Sequence, residues 1–166
     1  MSLFIPAREF VYMKIDWFKL VVSIVICQAA GIVGSFATMP AIGTWYASLA
    51  KPAWTPPNWV FGPVWVTLFF LMGLSLYLVW KEKPRMKELP FFPLQLGLNI
   101  IWSFLFFYFQ RPDWAFYEII FLWLAILGNI IVFYKIDKRA TYLLVPYIVW
   151  VTIAAALNYS VWMLNL

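Results

Sequence analysis

Histidine is absent, cysteine occurs once and only 11% of the 166 residues are charged. Each shortage removes a class of function. Without histidine there is no imidazole to ligate zinc or haem and none to activate a serine or cysteine nucleophile, so metal catalysis and triad chemistry are set aside. With Cys27 as the single thiol, no disulfide can form within the chain. No Gly-rich phosphate loop and no pair of carboxylates on one helix face occurs either, which sets aside phosphoryl transfer and two-carboxylate acid-base chemistry. A soluble domain carries about 25% charged residues. At 65% hydrophobic residues, this chain is built for a solvent other than water.

What it has instead is long uncharged runs. A bilayer core about 30 Å thick needs roughly 20 apolar residues in a helix, and five stretches qualify: about 20–39, 59–80, 90–109, 114–134 and 141–163. Only the fourth holds a charge, Glu118. The fold expected is an all-α membrane protein, a bundle of five transmembrane helices preceded by an N-terminal segment, 1–19, on the cytoplasmic side. The first run is long for the core of a signal peptide, although the small-x-small triplet Ser35-Phe36-Ala37 follows it. Met13 offers an alternative start that would make residues 1–12 dispensable.

The net charge of +5 is dispersed over short loops and lines no single face, so nucleic acid is not an expected partner. Ten of the twelve basic residues fall on one side: Arg8, Lys14, Lys19, Lys81, Lys83, Arg85, Lys87, Lys135, Lys138 and Arg139. Only Lys51 and Arg111 fall on the other. In a plasma membrane the positive-inside rule then puts the N-terminus in the cytoplasm and the C-terminus outside.

Between the first two spans, Pro40, Gly43, Pro52, Pro56 and Pro57 interrupt a segment that also carries Trp45, Tyr46, Trp54 and Trp59. Proline stiffens and aromatics supply apolar surface, so this is expected to be an ordered cap on the helix ends; the alternative is an aromatic belt at the membrane interface. In the third span, 100° per residue places Gln95, Asn99, Trp102, Phe106 and Gln110 on one narrow face with Ser103 at its edge. Such a stripe either hydrogen-bonds a neighbouring helix or lines a cavity. The fifth span repeats the arrangement with Tyr147, Trp150, Ala154, Asn158, Val161 and Asn165. Ala154 beside Trp150 leaves room for a flat group or for close helix packing, and Pro146 should loosen the helix near its start.

Glu118, in the first turns of the fourth span, can reach the interface and favour the helix N-terminus, or serve as a buried proton carrier. Asn129, deeper in that span, is expected to pair with another helix. Ala30 with Gly34 and Gly31 with Ser35 form small-xxx-small pairs that permit close helix contact, within the chain or across a dimer.

The run Trp45-Tyr46-Ala47-Ser48-Leu49-Ala50-Lys51-Pro52-Ala53-Trp54-Thr55-Pro56-Pro57, then Val60-Phe61-Gly62-Pro63-Val64-Trp65, resembles the signature of the TSPO/MBR family of tryptophan-rich sensory and translocator proteins, also called peripheral-type benzodiazepine receptors. Gln95, Asn99, Trp102-Ser103, Phe106-Phe107, Pro146-Tyr147, Trp150, Ala154 and Leu157-Asn158 extend it over about residues 20–165, with eleven tryptophans in the chain. The resemblance implies a five-helix bundle, often a homodimer, whose cavity binds protoporphyrin IX and other tetrapyrroles, sterol-like molecules and benzodiazepine-type ligands, with no obligatory cofactor. Carried over by position, the contacts would be Tyr46, Pro56, Trp65, Asn99, Ser103, Phe106, Tyr147, Trp150 and Ala154. Trp65 and Trp150 resemble the pair linked in the family to light-dependent porphyrin breakdown. Two positions depart from the pattern. Leu157 and Tyr159 begin the family's sterol motif, but Met163 stands where animal members carry arginine, which argues against tight sterol binding. Ser103 takes a position that is Asn in some bacterial members.

Three functions follow as alternatives: a membrane receptor or transporter for tetrapyrroles, a light-dependent porphyrin-degrading enzyme using Trp65 and Trp150 as its catalytic pair, and a non-catalytic scaffold whose tryptophans are belt and packing residues.

Overall fold

The computed structural model of the protein describes residues 15–82 and 89–166. Five of its helices are long and apolar enough to cross a membrane. The basic residues Arg8, Lys14, Lys83, Arg85 and Lys87, and the alternative start at Met13, lie outside the described residues.

Helix α1 (Trp17–Ile42) starts where the Asp16 carboxylate accepts the Lys19 N–H at 3.1 Å, a side-chain N-cap. It runs through Pro40, which the sequence placed in the loop. In the last turn the Thr44 hydroxyl donates to the Pro40 carbonyl at 2.9 Å, filling an acceptor that a terminating helix would leave open. A single turn, α2 (Trp45–Ser48), follows in the connection to α3 (Asn58–Lys81). Next comes α4 (Phe91–Ser103), continued by a π-helical turn at Phe104–Tyr108. Gln110, at φ 53°, ends it in the left-handed conformation common after helix C-termini. Helix α5 (Pro112–Tyr134) begins with proline in its first turn, where the missing N–H would have had no partner, and Asp137 caps α6 (Lys138–Leu164) by accepting the Arg139 N–H at 2.8 Å.

The spanning helices close a ring in the order α1, α3, α6, α5, α4 and back to α1. Its two ends differ. At the basic end, where α1 starts and α3 finishes, Lys19 Nζ lies 3.4 Å from the Trp80 carbonyl, and Ser75 donates to the Ala140 carbonyl at 2.7 Å. Met72, Leu76 and Val79 are fully buried there, and Phe92 stacks on Phe133 with centroids 6.0 Å apart. Gly73 lets α1 and α3 meet: a Cβ on it would sit 2.7 Å from the Ile24 Cα. Around the outside, Phe18, Phe36, Phe121 and Val149 are exposed, the surface a helix bundle presents to lipid chains.

At the loop end, residues 43–57 are ordered by their own contacts. Lys51 Nζ donates to the carbonyls of Tyr46 at 2.6 Å and Leu49 at 2.9 Å and lies 4.8 Å from the Tyr46 ring centroid. The loop aromatics divide between the two expected roles. Tyr46 is buried and Trp45 packs edge-on against Phe106 with centroids 5.6 Å apart, whereas Trp54 and Trp59 face outward as belt residues do.

Candidate functional site

Beneath that loop the ring encloses a cavity of about 300 Å³. Each wall has its own chemistry. From α1 come the small residues Gly31, Gly34, Ser35 and Thr38, followed towards the loop by Met39 and Ile42. The α3 wall is Phe61, Gly62, Trp65 and Phe69, and the α6 wall is Trp150, Ala154, Leu157 and Asn158. Helix α4 supplies Asn99, Trp102 and Ser103, while Tyr46 of α2 forms part of the roof. No residue of α5 reaches the lining; that helix is a buttress.

The π-helical turn positions Phe106 and Phe107. One extra residue in the turn rotates the helix beyond Ser103, bringing both rings onto the cavity wall, where an ideal helix would aim them further apart. Phe106 stacks on Trp102 with centroids 5.4 Å apart, and Tyr46 sits 5.7 Å from Phe107. The same turn breaks the expected stripe. Gln95, Asn99, Trp102 and Phe106 are buried as periodicity requires, but Gln110 falls beyond the helix and is exposed.

The amides of the two stripes combine both roles that periodicity left open. Asn99 Nδ2 donates to the Tyr147 hydroxyl at 3.1 Å, Trp102 Nε1 donates to Asn158 Oδ1 at 3.0 Å, and Asn158 Nδ2 donates to the Pro112 carbonyl at 2.7 Å. These bonds tie α4 to α6 and α6 to α5 while Asn99 and Asn158 also border the cavity. What remains is a wall dominated by aromatic faces. Trp150 Nε1 is buried without a partner among the described residues, and Tyr46 keeps a neutral phenol because burial raises its pKa above the ordinary value. Trp65 packs at 5.7 Å from Phe69 and 6.4 Å from Tyr147, and Trp150 packs edge-on at 5.9 Å from Phe61. A second, more open groove of about 430 Å³, between Pro63 and Thr67 of α3 and Pro146 and Val149 of α6, shares Trp150 with the cavity.

Of the nine positions expected to touch a ligand, Tyr46, Trp65, Asn99, Ser103, Phe106, Trp150 and Ala154 border the cavity. Pro56 and Tyr147 do not. Pro56 lies in the connection beyond the roof, and Tyr147 is fully buried behind Trp65 with its hydroxyl engaged by Asn99. Gly31 and Gly34 make the close helix contacts that small residues permit and also border the cavity: a Cβ at Gly31 would meet the Phe69 ring of α3 at 2.6 Å, and one at Gly34 would meet Ser103 Oγ of α4 at 3.1 Å. Glu118 faces inward, 8% exposed, with neither carboxylate oxygen partnered among the described residues, which fits the buried alternative. Asn129 is likewise buried, and its side chain finds no partner among the described residues.

A ring of five membrane helices around an aromatic cavity, roofed by an ordered Pro/Trp loop, defines an integral multi-pass membrane protein with an internal small-molecule-sized chamber. The profile of the TspO/MBR family matches residues 23–163. The chain is similar to the tryptophan-rich protein TspO of Archaeoglobus fulgidus, 44% identical over 89% of this chain and 97% of the relative. It is also similar to protein CrtK of Rhodobacter capsulatus, 37% identical over 85% and 89%, and to the human translocator protein, 41% identical over 71% and 73%. The protein belongs to the TspO/MBR family.

Proposed function

We propose that the protein is a membrane receptor or transporter-like protein that binds a tetrapyrrole, with protoporphyrin IX as the test ligand, in the cavity under the loop. The observation that carries this reading is the wall itself: Trp65, Trp150, Phe61 and Phe106 present aromatic faces, and Ala154 and Gly34 keep the intervening space open. A flat conjugated macrocycle gains most from such surfaces through stacking and burial. Ligand pockets span about 300–1,000 Å³, so a cavity of about 300 Å³ is at the lower limit, and a four-ring macrocycle would fill it with some outward displacement of the roof. Family relatives named as sensory and translocator proteins support binding as the primary activity. The homodimer, and an orientation with the basic end in the cytoplasm, belong to the same proposal.

A second reading is favoured by the two wall indoles. An indole stacked on a porphyrin can donate an electron to its excited state, so Trp65 and Trp150 would also serve light-dependent breakdown. Tryptophan-fluorescence quenching by protoporphyrin IX in the dark, followed by absorbance under illumination, separates these readings when wild type is run beside a Trp65→Phe/Trp150→Phe double variant. Saturable quenching weakened in the variant supports the receptor. Light-driven loss of the porphyrin band in wild type alone adds the photochemistry, and no saturable quenching returns the protein to a scaffold.

A further inference from the structure

We infer that Asn165, at the C-terminal end of α6, is a positioning residue that latches the loop over the cavity and so controls access from the loop end. The Ala50 N–H donates to Asn165 Oδ1 at 3.0 Å, and Asn165 Nδ2 donates to the Ala50 carbonyl at 2.9 Å. The same Nδ2 donates to the Val161 carbonyl at 2.7 Å, which fixes the amide plane to the last turn of α6. Among the described residues, these two bonds to Ala50 are the only hydrogen bonds joining residues 43–57 to a helix other than the two the loop connects.

The latch transmits to the roof through a short rigid path. Lys51, next to Ala50, binds the carbonyls of Leu49 and Tyr46, so the strap from Tyr46 to Lys51 moves as one piece. Tyr46 is 5% exposed and lies against Phe106 at 6.2 Å, on the cavity wall. Breaking the Asn165–Ala50 pair leaves the strap without a polar tie to α6, and Tyr46 is then held to the wall by its aromatic contacts with Phe106 and Phe107. Asparagine suits the task because it accepts from a backbone N–H and donates twice through one amide. Aspartate keeps only the acceptor, and leucine keeps neither function.

The test does not depend on which ligand the cavity takes. Ala154→Cys places a thiol on the wall, against a background in which Cys27 is fully buried. In lipid nanodiscs, its reaction rate with a permanently charged methanethiosulfonate reports entry from water, because that probe does not cross through lipid. Added to this background, Asn165→Leu is expected to speed labelling roughly tenfold, the loss of two hydrogen bonds, with Asn165→Asp between the two. Hydrogen exchange of the 47–51 segment should rise in parallel while the thermal midpoint changes little. Labelling rates equal in all three proteins would overturn the gate, and unchanged exchange at Ala50 would overturn the latch. Should Asn165→Leu fold poorly, the near-isosteric Asn165→Asp decides alone.

Discussion

The seam between α1 and α3 uses small residues in opposite ways at its two ends. At the basic end, Gly73 lets the α1 backbone come so close that a Cβ would meet Ile24 Cα at 2.7 Å, and the surrounding Met72, Leu76 and Val79 leave no space. At the loop end, Gly31 takes the face of the Phe69 ring, which a Cβ would meet at 2.6 Å, so that a side chain and not backbone fills the seam where it borders the cavity. The same residue type admits a backbone at one end and an aromatic ring at the other. The difference lies in the partner: backbone approaches glycine at the first, and a buried aromatic side chain does so at the second.

Substituting within the closed region should have the largest effect. Gly73→Leu forces α1 and α3 apart and should abolish folded protein in detergent, and even Gly73→Ala should lower stability by about 1–3 kcal/mol in thermal unfolding. At the open end the damage should fall on binding instead. Trp65→Ala and Trp150→Ala should each weaken protoporphyrin IX binding at least tenfold, whereas Trp17→Ala, on an indole 67% exposed at a helix end, should leave it unchanged. Equal losses in all three would erase the distinction between cavity and belt.

Between these extremes lies an amide that both borders the cavity and ties three helices together. Asn158→Ala strands the buried Trp102 N–H and removes the second donor to the Pro112 carbonyl, so stability should fall by about 1–3 kcal/mol, with a smaller loss of binding through the loosened α4 wall. The smallest effect is expected at the surface of the basic end. Asp137→Ala removes the α6 cap and should cost about 1 kcal/mol. Because the hydrogen-bonded Arg139 holds the Asp137 carboxyl below its usual pKa, that contribution is present above the unfolded value of about pH 4 and is lost as pH falls through the lower folded value. Thermal midpoints at pH 7 and pH 3 should therefore differ more in wild type than in the variant.

Much of this was legible in the chain because membrane helices announce themselves by length and absence of charge. The polar stripes also came through, since a 100° step identifies which residues share a face. It does not identify what that face meets. Tyr147 shares a face with Trp150 and Ala154 but is fully buried against Trp65 with its hydroxyl bound by Asn99, and Gly31 reads the same whether a helix or a cavity lies opposite. The π-helical turn was invisible to a constant step, which is why Gln110 seemed to continue a stripe that ends at Phe106. Nearness to a helix end leaves Glu118 open between the interface and the interior, and it is its inward register with Ala115 and Leu122 that buries it.

The most direct test of the central claim is a dark titration of wild type and Ala154→Leu with protoporphyrin IX, at matched thermal stability. The substituted side chain occupies space beside Trp150 without removing an aromatic group. Saturable quenching in wild type that weakens by an order of magnitude in Ala154→Leu is the expected result. Equal saturation in both proteins would place the porphyrin on the lipid-facing surface and contradict the cavity as its site.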